Sequence, residues 1–465
     1  MATVDAKSML DRVCRKVSVR IMPMFFMSFI VAYLDRINIS FAKLQMAADT
    51  GLTDATYAIG ASIFFASYMV FEVPSNLILR RVGTRLWLAR IMITWGVVSM
   101  AMMFVAPIAA SMHVTQTQVF YMLRFLLGIC EAGFMPGVLF YIGSWIPANK
   151  QSNMFAIFLA ALPVSLMFGG PISGWLLQVS TAFGHFRGWQ WLFLLEGLPA
   201  VIMGIVIFVW LPRDIGSAKW LDYAEKQILN ASLSGERTHK QAHMLAAFLD
   251  GRVWMLILIL LGVNTGFYGL SFWLPTIIHH AGITDTVTIG LISAIPWVVS
   301  IPCMFLNASH SARTGERLWH AALPLVISGI TFMVSALTAT NFSLSFMFLT
   351  IAVGSLMASF PLYWTFPNQI LTGTAAAAGL ALINSVGALA GILGSFTSSL
   401  AQSLTGNINN GTYFFGALAL LAGFLYLALP RIFCFENAEA IRVGIGRGAT
   451  GHHAGVSTSN DIEAQ

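Results

Sequence analysis

Charged side chains are what this sequence has least of: 9% of its 465 residues, while 57% are hydrophobic. Soluble domains carry about 25% charge, so a soluble enzyme and a nucleic-acid-binding module are both excluded. No Asp, Glu, Lys or Arg occurs between Arg317 and Arg431. Cysteine is scarce as well. Cys14, Cys130, Cys303 and Cys434 are scattered without ligand spacing, which excludes a disulfide framework and a thiolate metal site. No histidine falls in the interior of a long apolar segment, and His452-His453 is too short a cluster for a metal. A membrane-embedded enzyme would need a nucleophile–base pair or a metal at that depth. Its parts are missing, and no cofactor or metal is expected.

Apolar segments fill the chain instead. Twelve are long enough to cross a bilayer as helices, at approximately 21–41, 57–79, 86–108, 116–145, 151–178, 190–211, 253–274, 287–308, 320–340, 343–366, 374–403 and 412–430. The expected fold is an all-α membrane protein of twelve transmembrane helices in two six-helix, pseudo-symmetric halves. Residues 1–20 form an N-terminal segment, 21–211 one bundle, 212–252 a central loop, 253–430 the second bundle and 431–465 a tail. The first apolar segment has no small-residue cleavage site and reads as a retained span. Met1–Arg12 and Ala438–Gln465 read as flexible.

Basic residues set the sidedness. All of the 25 lysines and arginines except Arg36, Lys43, Arg124 and Arg187 border one face. The positive-inside rule places that face, with both termini and the central loop, in the cytoplasm. Lys43 and Arg187 then lie outside. The net charge of +6 marks this sidedness and contact with anionic headgroups of the lipid bilayer, not a nucleic-acid partner.

Four charges interrupt the apolar runs: Asp35 and Arg36 in span one, Arg124 and Glu131 in span four. Each costs about 2.5–3.5 kcal/mol at the bilayer centre on insertion scales. Arg124 and Glu131, seven residues apart, project from one helix face. Asp35 and Arg36 diverge by about 100°, yet both can border a cavity. An inter-helical ion-pair lock between spans one and four would explain the tolerated cost. It would not explain why two acids and two bases gather in one half. An arginine suits a carboxylate ligand through its planar, permanently charged fork. An acid that alternates between an arginine and a desolvated environment can load and release a proton. Tyr68 in span two, and Asn264 with Tyr268 one turn apart in span seven, are candidate lining groups or packed side chains. Glu72, beside Pro74, is expected to pair with Arg80 or a loop helix. Trp364, between Pro361 and Pro367, is expected where span ten breaks, as a gate or a packed aromatic. Gly169-Gly170-Pro171-Ile172-Ser173-Gly174 reads as a site of close helix packing.

The halves echo one another. Arg81-Val82-Gly83-Thr84-Arg85 after span two recurs as Arg313-Thr314-Gly315-Glu316-Arg317 after span eight. That spacing carries Arg36 onto Tyr268 and Glu131 onto Tyr363. Parallel six-helix repeats are a signature of secondary transporters, whose sites lie near the midplane between halves.

Further motifs are Tyr33-Leu34-Asp35-Arg36-Ile37-Asn38, Val73-Pro74-Ser75-Asn76, Leu123-Arg124-Phe125-Leu126-Leu127-Gly128 with Glu131-Ala132-Gly133-Phe134, Gly188 through Gly197, and Ala378 through Ser385. As a set they resemble the major facilitator superfamily, and within it the anion:cation symporter family of carboxylate permeases. The loop motif departs from the superfamily pattern, with Arg80 and Ala312 where an Asp is usual. The resemblance implies that Arg36 and Arg124 hold a substrate carboxylate, that Asp35 and Glu131 take coupled protons, and that Asn384 contacts substrate. Glu196 is implied as a structural partner. The implied activity is proton-coupled import of a small organic anion, an aromatic acid, tartrate-like or sugar acid, by a monomer in the bacterial inner membrane. A facilitator, an antiporter, or a nutrient sensor on a carrier scaffold is the alternative.

The charge asymmetry makes a topological prediction. A cysteine introduced as Arg187→Cys reacts with an impermeant maleimide in intact cells, whereas Lys226→Cys reacts only after permeabilisation. The reverse pattern would invert the orientation.

Overall fold

The computed structural model describes residues 2–179, 186–237, 250–367, 379 and 382–432. Within them every regular element is helical. Hydrocarbon offers backbone groups no partner, and the helix satisfies them within the segment. Among the described residues, twelve helices are long and apolar enough to span a membrane: Ser8–Thr50, Asp54–Val82, Thr84–Met112, Gln116–Trp145, Ile157–Gln178, Gly188–Trp210, Gly251–His280, Thr286–Thr314, Leu318–Leu337, Phe342–Tyr363, Leu382–Thr405 and Ile408–Leu429. The face where span one starts and span twelve ends is called the terminal face.

Several boundaries differ from expectation. The first helix runs from Ala2, so the expected flexible N-terminus is its opening turns. The central loop contains a helix, Tyr223–Arg237, fastened to span one by a Lys16–Glu225 ion pair at 2.7 Å. His310 and His320, read from sequence as lying outside the spans, belong to helices eight and nine. The C-terminal tail beyond Ile432, with Cys434 and His452-His453, and residues 378, 380 and 381 of the Ala378–Ser385 motif lie outside the described residues.

At the face opposite the termini, short turns are fixed by side-chain caps. Thr53, Thr115, Asp285 and Asn341 accept backbone N–H bonds at the starts of spans two, four, eight and ten, each satisfying a donor that the helix leaves orphaned. Bonds from the Thr288 hydroxyl and N–H hold the Asp285 carboxyl below its ordinary range. The halves meet here. A Cβ on Gly170 of span five would come within 2.6 Å of the Gly290 carbonyl of span eight, the close approach read from the glycine-rich motif. Lys43, placed on the outer side by the charge asymmetry, is buried at 7% exposure. It pairs with Asp54 at 2.8 Å, lies 4.0 Å from the Trp273 ring and 4.7 Å from the Tyr57 ring, and donates to Thr276 at 3.3 Å. It therefore joins spans one and two to span seven.

Span four is broken in the middle, between a helix ending at Glu131 and one starting at Phe134. Pro136 has no N–H for the Ala132 carbonyl, and its ring would clash with that carbonyl in a continuous helix. Ala132 O instead accepts from the Ser75 hydroxyl at 2.6 Å, which in turn accepts from Trp87 Nε1 at 2.9 Å. Gly133 closes the break at φ +88°, with Ser75 Cβ only 2.9 Å from where its own Cβ would be. Gly406 has a similar left-handed backbone but open surroundings. Both Gly→Ala changes incur about 1–2 kcal/mol of backbone strain. Gly133→Ala also meets Ser75 and is expected to lower the thermal midpoint in detergent further than Gly406→Ala. Equal midpoints would show that the break tolerates a side chain.

Candidate functional site

A cavity lies between the halves, lined on one side by Tyr33, Arg36, Tyr68 and Glu131 and on the other by Asn264, Tyr268, Trp364 and Asn384. Six of the eight site residues predicted from sequence line it. Its central feature is an ion pair between Arg36 Nη2 and Glu131 Oε1, joining span one to the last residue of the first half of span four. The guanidinium carbon lies 4.9 Å from the Tyr33 ring, 5.5 Å from Tyr68 and 5.6 Å from Phe64. Desolvated cation–π contacts of this kind contribute about 2 kcal/mol.

Arg36 Nη1 also donates to Tyr268 Oη at 3.4 Å, across the halves. The two residues occupy equivalent positions in the internal repeat. A residue and its symmetry mate can touch only near the axis relating them, so the ion pair sits near the pseudo-two-fold axis. That is where alternating-access carriers place their sites.

Asp35 and Arg124 are placed differently. Neither lines the cavity. Asp35, 2% exposed, accepts from Asn38 at 3.0 Å and from the Ser99 hydroxyl of span three. The divergence of adjacent helical residues sends it behind span one. Arg124 donates from Nε to the Gly60 carbonyl at 3.3 Å, and its guanidinium lies 4.8 Å from the Phe64 ring. Its Nη2 has no hydrogen-bond partner among the described residues. Phe64 is therefore a neighbour of both arginines. The single cluster suggested by the sequence is resolved into a pair in the cavity and a pair of charges in its wall.

Glu72 overturns its sequence assignment. It does not pair with Arg80, which lies over Phe140. Its two oxygens accept from Asn384 Nδ2 at 2.7 Å and Ser385 Oγ at 2.8 Å, both on span eleven. Glu196 accepts from Ser173 at 2.7 Å. Trp364 caps the end of helix ten and lines the cavity. Phe64, Tyr33 and Ser385 were not singled out on sequence. Helical spacing held a signal for two: Tyr33 precedes Arg36 by three residues and Phe64 precedes Tyr68 by four.

A model of the Major Facilitator Superfamily matches residues 24–395. The chain belongs to that superfamily. A Pseudomonas putida protein named for metabolite transport, NicT, is 41% identical over 89% of this chain and 94% of its own length. An Agrobacterium vitis protein named for tartrate transport is 42% identical, covering 90% and 92%. An Acinetobacter baumannii protein named for quinolone resistance is 38% identical, covering 88% and 92%. The solved D-xylose–proton symporter shares the fold, with a TM-score of 0.69 at 15% identity over 88% of this chain and 97% of its own. This facilitator is thus a membrane transporter of small molecules and not an enzyme.

The geometry of its central pair predicts non-additive energetics. Glu131→Gln or Arg36→Gln alone leaves a buried charge unpaired, a loss of about 3–5 kcal/mol. The double variant removes both charges and is expected to be destabilised by less than the sum. Unfolding in mixed micelles measures all three, and additive losses would mean the two groups do not stabilise one another.

Proposed function

We propose that this carrier imports a small organic carboxylate together with protons across the bacterial inner membrane, working as a monomer with its terminal face in the cytoplasm. The observation that carries the reading is the Arg36–Glu131 pair near the axis, in contact with Tyr268 of the other half. A cation placed there faces whichever side the cavity opens to. Its only acidic partner among the described ion pairs is a side-chain carboxylate, which a substrate carboxylate can replace in kind.

The exchange supplies the coupling. When substrate takes Arg36, Glu131 is left buried without a counter-ion, a costly state that a proton relieves. When substrate leaves, Glu131 returns to Arg36 as the anion and the proton departs. Loading and protonation are thereby tied through one guanidinium, with H+ as the coupling ion. Asp35 is the second candidate proton carrier, and Arg124, packed against Phe64, the second candidate cation. Tyr68, Tyr268, Asn264 and Asn384 would hold hydroxyl or carbonyl oxygens of the cargo.

The relative named for tartrate transport supports a hydroxylated acid, and the aromatic rings around Arg36 suit an aromatic one. The relative named for quinolone resistance favours a second reading, efflux of an aromatic compound. Direction of movement in vesicles separates the two.

The test uses proteoliposomes and labelled tartrate, with gradient-driven uptake and counterflow measured side by side. Glu131→Gln is expected to abolish accumulation driven by a pH gradient while sparing counterflow. Undiminished accumulation in both Glu131→Gln and Asp35→Asn would remove these residues from coupling. Arg36→Lys keeps the charge but loses the fork, and transport is expected to fall by at least tenfold, about 1.4 kcal/mol. Near-normal affinity in both Arg36→Lys and Arg124→Lys would favour the ion-pair lock.

A further inference from the structure

Glu72 has no role in the scheme above, yet its setting is unusual. It lies one turn from Tyr68 towards the terminal face, is 2% exposed, and joins no ion pair among the described residues. Both of its hydrogen-bond donors, the Asn384 amide and the Ser385 hydroxyl, come from the other half of the molecule. One of those donors lines the cavity. The other buried glutamate held by a hydroxyl, Glu196, is bonded within its own half to Ser173 and needs no release for the halves to move. Glu72 spans an interface that alternating access must part.

We propose that Glu72 is a built-in stand-in for the cargo. In the empty carrier its carboxylate occupies Asn384 and Ser385 and so clasps span two to span eleven. Substrate oxygens arriving in the cavity take the same donors and release the clasp. The exchange replaces one set of acceptors with another, so neither donor is left buried and unsatisfied, and the released Glu72 carboxyl is compensated by water or a proton as the halves part at the terminal face. Glu72 acts through Asn384 and is a positioning residue. The proposal rests on the carboxylate reading of the cavity and adds to it a reason why binding loosens the halves on one side.

Two measurements separate the clasp from that reading. Spin labels are attached through Arg81→Cys and Arg313→Cys, exposed positions on the terminal face of opposite halves, in a carrier whose native cysteines are replaced by alanine. Without any ligand, Glu72→Gln is expected to shift their distance distribution to longer values. Asn384→Ala with Ser385→Ala removes the clasp from the other side and is expected to reproduce the shift. Distances unchanged in both overturn the proposal. In calorimetric titration with tartrate, Glu72→Gln replaces a charged competitor for the donors by a weaker neutral acceptor and is expected to tighten binding about tenfold, whereas a merely structural role would leave it equal or weaker, and that result overturns the stand-in role. If tartrate does not bind the unmodified carrier, the carboxylate reading is weakened for this acid, and the distance comparison alone decides the clasp.

Discussion

A charge in hydrocarbon has no water to fall back on, and the interior of this protein is arranged around that constraint. Each ionised group at depth must find its partner in another helix, so each fixes a relation between helices. Arg36 finds Glu131 and ties span one to span four. Asp35 finds Asn38 and Ser99 and ties span one to span three. Lys43 finds Asp54 and two aromatic rings where the halves touch, and Glu72 finds span eleven. The same few contacts that make burial tolerable also decide which helices travel together and which must part.

The architecture was legible because it follows from composition and spacing. Long apolar runs leave few alternatives to spanning helices, and the recurring loop motif exposes the two halves without knowledge of packing. The site was legible in part. Charges against a steep solvation gradient announce themselves, and the resemblance added Asn384. Their partners were hidden, because pairing across 95 residues, or 312 for Glu72 and Asn384, is set by how helices rotate and not by local order. Glu72 was misplaced for this reason: Arg80 is near in sequence, but the helix directs the carboxylate inward. The divergence of Asp35 from Arg36 was visible as an angle, yet which of the two faced the cavity was not.

The broken span four shows a local signal that was present and unused. Pro136 stands four residues after Ala132, and Gly133 supplies the left-handed residue such a break requires. Apolar periodicity runs through the break undisturbed, so the segment reads as one helix. Glu131 therefore stands at a helix end, beside backbone that is already turned, while Arg124 stands mid-helix against Phe64.

One ring, Phe64, lies 5.6 Å from the Arg36 guanidinium and 4.8 Å from that of Arg124. Two like charges thus share a single aromatic neighbour, and loss of that one side chain would withdraw a cation–π contact from both at once. A cation facing the cavity and a cation in its wall are linked through a residue that carries no charge of its own.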